Sequence, residues 1–401
     1  MCTPYRVVVI GIGFTSRLGM IRALAQMGAV VDVIAFGVGR IKPVDSFSKY
    51  INNYFYCPGD DDELFFQILQ NHCVDSCRKT VLIPINDLAA IKIDKRRNVL
   101  KDHFLFPYIQ NGQRSVQEWM NKELQKDVAK RVGLNVVDSQ IVNIVDGKYQ
   151  LPIGIKYPCF TKTREYVKGY KRTLHRCNCE EELRGVLNTI SLYHNDIVIM
   201  VEAYKEIEKE FAIVGVSDGD EVVIPGVIEI LNMAGGDDFG VACQGKIMPI
   251  AGFNILIEKF KKLILEIGFV GLFDIDFYLS QGVYYFAEIN LRMGGSGTAV
   301  LKMGVNLPAM FVKSLFGDSV DGMEKEIKMS ATFVNERICS DNWYFGFITY
   351  DEMRKLLDTS DIRFVKDDLD PKPEKRFELE LKLLRVKKII SKCKKLIKKS
   401  L

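Results

Sequence analysis

Arg6–Ile10 (RVVVI) is a run of β-branched residues followed by Gly11 and Gly13, and Leu18–Met27 then repeats apolar side chains at helical spacing. Val30–Phe36 predicts a second strand and Val81–Ile85 a later one. Apolar strands separated by helices predict a parallel α/β sheet. From Gly112 the pattern changes. Val116–Val132 predicts a helix ended by Gly133, and strands then crowd together at Cys159–Lys162, Ile197–Glu202, Phe211–Ser217, Val222–Ile230, Gly271–Leu279 and Val283–Ile289. Helices at Glu180–Tyr193 and Ile255–Ile267 interrupt them, which is α+β character. Residues 331–372 read as a loop-rich module closed by the turn Asp370-Pro371-Lys372-Pro373. Beyond it, Leu379, Leu383, Val386, Ile390, Cys393 and Ile397 alternate at intervals of four and three, one apolar stripe along a helix.

A chain of 401 residues suggests two or three domains, and 48% apolar with 26% charged residues is the balance of a globular protein. No apolar run approaches the roughly 20 residues that span a bilayer. The first residues enter a strand without the features of a signal peptide, so a cytoplasmic protein is expected. Ten cysteines without framework spacing then read as reduced thiols. His175, Cys177 and Cys179 resemble part of a zinc site but lack a second half. The net charge of +4 is unevenly placed: after Glu380 there are nine lysines and arginines and no acid. The body is thus acidic on balance, which argues against a nucleic-acid binder.

Gly11 and Gly13 allow a tight turn out of the first strand, but a dinucleotide fingerprint requires glycine or alanine at Ser16, and the next glycine is Gly19. Gly37 and Gly39 follow the second strand, where an acidic ribose ligand is expected, and Asp32 lies inside that strand. A Rossmann-like turn with another role is the better reading.

The densest chemistry lies in residues 271–297, GLFDIDFYLSQGVYYFAEINLRMGGSG. Alternation on both sides of Ser280-Gln281-Gly282 predicts an antiparallel hairpin. A turn centred on Gly282 sets Asp276 opposite Glu288 and Asp274 opposite Asn290, all four on one face. Crowded acids without histidine or cysteine suit Mg2+, which takes one or two carboxylates and completes its shell with phosphate and water. Arg292 follows, placed to hold an anion, and Gly294, Gly295 and Gly297 let backbone amides approach a phosphate or substrate.

Glu288-Ile289-Asn290-Leu291-Arg292, with Asp276 twelve residues upstream, resembles the metal-binding end of the ATP-grasp superfamily, as in biotin carboxylase, D-alanine–D-alanine ligase and carbamoyl-phosphate synthetase. The resemblance extends through Asn121-Lys122, a lysine at the opening of the central domain that precedes the helix end Ala129-Lys130-Arg131-Val132-Gly133-Leu134-Asn135, and Lys162, which closes a short strand. It continues in Ile199-Met200-Val201-Glu202-Ala203-Tyr204, similar to the interdomain hinge that reads adenine, and in Glu210 where a ribose-binding polar residue is expected. It spans roughly 115–310 and departs in three places. Thr163 follows Lys162 where proline is usual, residues 164–173 hold only Gly169 where a glycine-rich loop is usual, and Asp276 replaces glutamate. Lys168, Lys171 or Arg172 are candidates to supply the loop's charge, and residues 235–240 (GGDDFG) a candidate substrate loop.

The resemblance implies a Rossmann-like pre-ATP-grasp domain (1–111), a two-lobed ATP-grasp domain (112–330), a small C-terminal module (331–373) and a basic amphipathic helix (374–401). It implies ATP with one or two Mg2+ ions, replaceable by Mn2+, on Asp276, Glu288 and Asn290. On the same resemblance Lys122, Lys162, Glu202, Tyr204 and Glu210 are expected to bind the nucleotide, and Arg292 is the expected catalytic residue. The expected reaction joins a small-molecule carboxylate to an amine through an acyl phosphate, releasing ADP. Residues 333–347 and 362–373 resemble envelope-related ligases such as D-aspartate ligases, which implies an amino acid and a cell-envelope precursor as substrates. Rival readings are carboxylase or kinase chemistry on the same fold and a non-catalytic ATP-binding module. Three homes suit the basic helix: the chain's own acidic body, a partner helix in a homo-oligomer, or an anionic membrane surface at the inner face.

Overall fold

The computed structural model describes residues 5–37, 42–59, 61–110, 112, 114–165, 167, 173–235 and 241–400. Strands β1 (Arg6–Gly11), β2 (Val30–Phe36), β3 (Ile51–Cys57), β4 (Thr80–Pro84) and β5 (Phe104–Leu105) form a parallel sheet ordered β3-β2-β1-β4-β5. Val8, Ile10, Ile34 and Leu82 pack on Phe65 and Ile93 on one face, while Val7, Val9, Val33 and Ile83 join Ile21 and Leu24 on the other. The sequence pattern did not predict β3, because its INNYFYC is half polar. Its asparagines have a task. Asn52 and Asn53 both donate to Asp32 Oδ1 at 2.9 Å, while Arg6 holds Oδ2. Asp32 is therefore a fully buried structural acid and not a ribose ligand.

Gly11 and Gly13 both take positive φ, as a tight exit from β1 requires. Gly19 serves packing: a Cβ there would lie 2.1 Å from Thr298 Oγ1, so the helix Phe14–Gln26 touches the helix Gly297–Lys302.

β6 (Tyr108–Ile109) leads into the second unit. β7 (Ser139–Ile144), β8 (Cys159–Thr163), β9 (His175–Cys177) and β10 (Ile197–Ala203) make an antiparallel sheet ordered β7-β10-β8-β9. The helix Glu180–Ser191 covers it with Leu183, Leu187 and Ile190. The larger sheet comprises β11 (Lys209–Ser217), β12 (Val222–Val223), β13 (Val227–Met233), β14 (Ala242–Met248), β15 (Phe269–Ser280), β16 (Val283–Asn290), β17 (Ala331–Val334) and β18 (Ile362–Arg363). Its path is β16-β15-β11-β13-β14-β17-β18, with β12 on β11 and β6 on β15. Phe260, Leu263 and Ile264 of the helix Asn254–Ile267 pack on its Phe269, Phe273 and Phe277.

Several expectations need correction. The run 222–230 is two strands, because Pro225-Gly226 interrupts it. The helical stretch predicted from Val116 begins as a short 3-10 turn, Glu118–Met120, and becomes α-helix only at Lys122, where Asn121 accepts from the Glu123 and Leu124 amides. Residues 331–372 are not loop-rich. They hold β17, β18 and the helices Glu336–Phe345 and Tyr350–Thr359, and β17 pairs with β14. Pro371 opens a helix, Pro371–Ser400, rather than closing a turn, as the fixed φ of proline permits in a first helical turn. Arg22, buried, donates to both Asp370 and the Phe364 and Val365 carbonyls and so ties that point to the N-terminal unit.

The C-terminal helix does not lay its predicted apolar stripe on the chain's own body. Phe377 is 2% and Leu381 4% exposed, whereas Leu379, Leu383, Val386 and Ile390 of the predicted stripe are 48–53% exposed. Among the described residues no helix is long and apolar enough to cross a membrane.

Candidate active site

β15 and β16 meet through the two-residue turn Gln281-Gly282, both at positive φ, rather than a turn centred on Gly282. Near the turn Tyr278 faces Tyr285 and Ser280 faces Val283. A bulge then inserts Ala287, and beyond it the register shifts by one: Asp276 opposes Glu288 and Asp274 opposes Asn290. The expected pairing of the acids thus holds for a reason the alternation did not contain. Asn290 Nδ2 donates to Asp276 Oδ2 at 3.3 Å.

Burial pushes Asp274 up to about 6, helped by Glu288 and Asp87 and opposed by Arg292. Burial, with the charges of Asp274 and Glu288, holds Asp276 well above the usual range. Burial also raises Glu288, but Lys122, Lys162 and Arg292 outweigh it and leave that carboxyl below its ordinary value. Asp274 Oδ1 is buried without a hydrogen-bond partner. Among the described residues no three histidine, cysteine or acidic side chains are gathered as a complete metal cage. Two carboxylates, one amide oxygen and a proton-hungry neighbour fit a hard cation that brings phosphate and water ligands with it.

The two predicted lysines converge on acids. Lys122 Nζ lies 2.7 Å from Glu288 Oε2, and Lys162 Nζ lies 2.8 Å from Glu202 Oε1. They are also linked through the backbone, since Lys122 N–H donates to Arg164 O at 2.9 Å, two residues past Lys162. Glu202 is further held by Lys126, whose Nζ also donates to Val137 O. Burial raises the Glu202 carboxyl, but Lys162 and Lys126 overcome this and keep it below its ordinary value. At the hinge, Tyr204 N–H is taken by Pro158 O and its ring stacks under Arg176 at 4.3 Å. Glu210 stands on β11 opposite Tyr278, its carboxyl raised by burial, and its charge reaches Asp276.

Arg292 joins the two units. Its Nε donates to Asp87 Oδ1 of the N-terminal unit at 3.1 Å, and Nη1 lies 3.9 Å from Asp274 Oδ2. Burial alone would lower its pKa, but Asp87, Asp274 and Asp276 raise it and keep the guanidinium charged. Gly294 is required beside it, because a Cβ there would lie 1.9 Å from Asp274 Oδ2. The proposed loop substitutes Lys168, Lys171 and Arg172, and residues 236–240 of the glycine-rich stretch, lie outside the described residues.

Sequence reasoning missed three participants. Asp87 sits on the helix Asp87–Lys95 of the other unit, so no local pattern ties it to Arg292. Lys126 is one helical turn beyond Lys122, the spacing that should have suggested a second inward cation. Gln125 clamps β16, accepting from Ile289 N–H at 3.0 Å and donating to Ile289 O at 2.9 Å.

A small antiparallel sheet backed by a helix, a larger sheet ending in the acidic hairpin and a Rossmann-like leading unit make up the ATP-grasp fold, and this chain has it. Solved structures agree. N5-carboxyaminoimidazole synthetase of Staphylococcus aureus, complexed with ADP, aligns with TM-score 0.63 over 88% of this chain and 87% of that one, at 16% identity. The L-amino acid ligase of Bacillus licheniformis gives 0.61 over 83% and 80%, at 16% identity. Biotin carboxylase of Campylobacter jejuni, in a complex with ATP, gives 0.60 over 82% and 74%, at 14% identity. In sequence, the large chain of carbamoyl phosphate synthase of Vibrio cholerae is 24% identical over 229 residues, 55% of this chain. The match spans only 21% of that relative's length. No protein-family model matches the sequence.

Proposed function

We propose that the chain is an ATP- and Mg2+-dependent ligase that activates a carboxylate as an acyl phosphate and joins it to an amine. The observation that carries this reading is the convergence of Lys122, Glu288, Asp276, Asn290 and Arg292 on one face, with Lys162 and Glu202 beside the hinge. Lys122 and Lys162, which here rest on glutamates, are the cations available to the nucleotide phosphates. Mg2+ on Asp276, Glu288 and Asn290 would supply charge neutralisation of the β and γ phosphates. Arg292 holds the substrate carboxylate, whose oxygen attacks the γ phosphorus as the bond to ADP breaks. The amine nitrogen then attacks the acyl carbon, phosphate leaves, and the amine gives up a proton. Tyr204 and Glu202 border the adenine, and Glu210 the ribose.

For the finer assignment, an amino acid is the carboxylate substrate and a cell-envelope precursor its partner. The support for the amino acid is charge complementarity, and for the envelope precursor it is the resemblance of residues 333–347 and 362–373 to D-aspartate ligases. Arg292 suits a carboxylate, and the unpartnered Asp274 Oδ1 beside it suits an ammonium. An ammonium held there would also keep the donor's own nitrogen protonated while the acceptor attacks.

The test is ADP release against a panel of amino acids, their des-amino analogues and bicarbonate, with and without amines, and the product identified by mass. Release that requires an amino acid and an amine is expected. Release with bicarbonate alone would instead assign carboxylation, and bound nucleotide without turnover on any member would overturn the ligase reading.

A further inference from the structure

The helix Pro371–Ser400 has two opposite faces that do different things. At about 100° per residue, Phe377, Leu381, Leu384 and Lys388 lie on one side and Leu379, Leu383, Val386 and Ile390 on the other. The first set docks on the body. Phe377 packs with Leu18, Val44 and Val365, and Leu381 and Leu384 with Trp343, Met353 and Leu357. Lys388 donates to Trp343 O and lies over its ring at 4.9 Å, and Arg385 lies over Tyr350 at 4.6 Å. The second set points away from the body, each side chain about half exposed. The body is thus already docked, on the other face, and cannot be what covers the stripe.

We infer that this outward face is a docking surface for a bilayer containing anionic lipid. Lys382 flanks the stripe on one side and Lys387 on the other, both exposed, and the stripe's spacing continues in the sequence through Cys393 and Ile397 among further lysines. No acid follows Glu380, and the acids before it are engaged: Glu378 lies 3.8 Å from Arg363, and Glu380 accepts from Arg376 at 3.0 Å. A second copy fits poorly. Paired along this stripe, two such helices would bring lysines against lysines with no acid to relieve them. Apolar side chains flanked by lysines whose stems can reach outward match a lipid headgroup boundary instead. The surface lies apart from the catalytic hairpin, so the inference does not depend on the proposed reaction.

The test is co-sedimentation of the full-length protein with phosphatidylcholine vesicles, with and without phosphatidylglycerol, at low and high salt. Expected is binding only to the anionic vesicles, weakened by salt, and roughly tenfold weaker in Leu383→Ser or Ile390→Ser. These positions are solvent-facing, so circular dichroism and Tm should match the parent protein. Lys382→Glu with Lys387→Glu should weaken binding and flatten its salt dependence. Equal binding to neutral vesicles, no binding, or unchanged binding by the serine variants overturns the inference. So does a dimer in sedimentation equilibrium that Leu383→Ser dissociates, which would make a second copy the occupant.

Discussion

Replacing Gln125 by alanine should loosen the acidic hairpin without touching an acid. Gln125 is 2% exposed, and its carboxamide acts as one residue of a missing neighbour strand: Oε1 accepts from Ile289 N–H, and Nε2 donates to Ile289 O and to Trp119 O at 2.8 Å. β16 is an edge strand, so these groups of Ile289, itself buried, have no ladder on that side. Each buried backbone group left unpaired costs about 1–3 kcal/mol, so the alanine variant, which strands Ile289 N–H and O, should lose roughly 2–6 kcal/mol. Against a native stability of about 5–15 kcal/mol this is a large share, readable by urea unfolding at constant m. Ile289 lies between Glu288 and Asn290, and Lys122 is on the same helix as Gln125, so KM for ATP should rise as well. Gln125→Glu keeps the acceptor but places an oxygen against Ile289 O and Trp119 O, and should rescue little. A loss below about 1 kcal/mol in Gln125→Ala, with KM for ATP unchanged, would refute the clamp.

Glu288→Gln should lower ADP release by at least about a hundredfold while Tm stays near that of the parent; full turnover in the folded variant would remove the hairpin from the reaction. Lys162→Met should free Glu202 from one of its two cations and raise KM for ATP, read from initial rates, and unchanged kinetics would count against its phosphate role. ATP should be turned over in preference to GTP, and equal rates would count against the hinge at Glu202 and Tyr204. The last expectation concerns pH. Asp274, pushed to about 6 chiefly by burial and further by Glu288 and Asp87 despite Arg292, binds a proton in the native state that the unfolded chain has lost, and Asp276 does so more strongly. Native protons exceed unfolded ones above pH ~4, so this pair's contribution to metal-free stability falls as pH rises from there through about 6. A divalent cation replaces those protons, so the increase in Tm on adding Mg2+ should grow across the same window, and a pH-independent increase would contradict it.

How much of this was legible in the chain depends on the range of the interaction. β1, β2 and β4 are written in β-branched runs, and the structure places them within a residue of the expected bounds. β3 escaped because its polar residues serve Asp32 rather than solvent, a distinction that period-two reading cannot make. The acids, lysines and Arg292 were legible as an ordered set that resembles ATP-grasp sequences, and the structure sets Asp276 opposite Glu288, Lys122 on Glu288 and Arg292 beside Asp274. Their partners were not: Asp87 reaches Arg292 across 205 positions and Gln125 reaches Ile289 across 164.

The hairpin and the C-terminal helix show the two ways such a reading can stand or fall. In the hairpin, the assumed three-residue turn differs from the real two-residue turn by one position, and an error of one residue ordinarily sends every side chain to the wrong face. The bulge at Ala287 supplies the missing residue, so the acids pair as expected while Tyr284 and Tyr285 do not. Local alternation was still informative there, because burial on one side forces the acids to a common face whatever the turn does. In the helix, spacing correctly found an apolar stripe but could not say what it meets. The body is contacted instead by a mixed face of Phe377, Leu381, Arg385 and Lys388, where two cations lie over the aromatic rings of Trp343 and Tyr350. A cation over a ring can stand where a periodicity scan demands an apolar residue. The buried face of this helix therefore looks polar in sequence, and the face that looks like core is the one left outside.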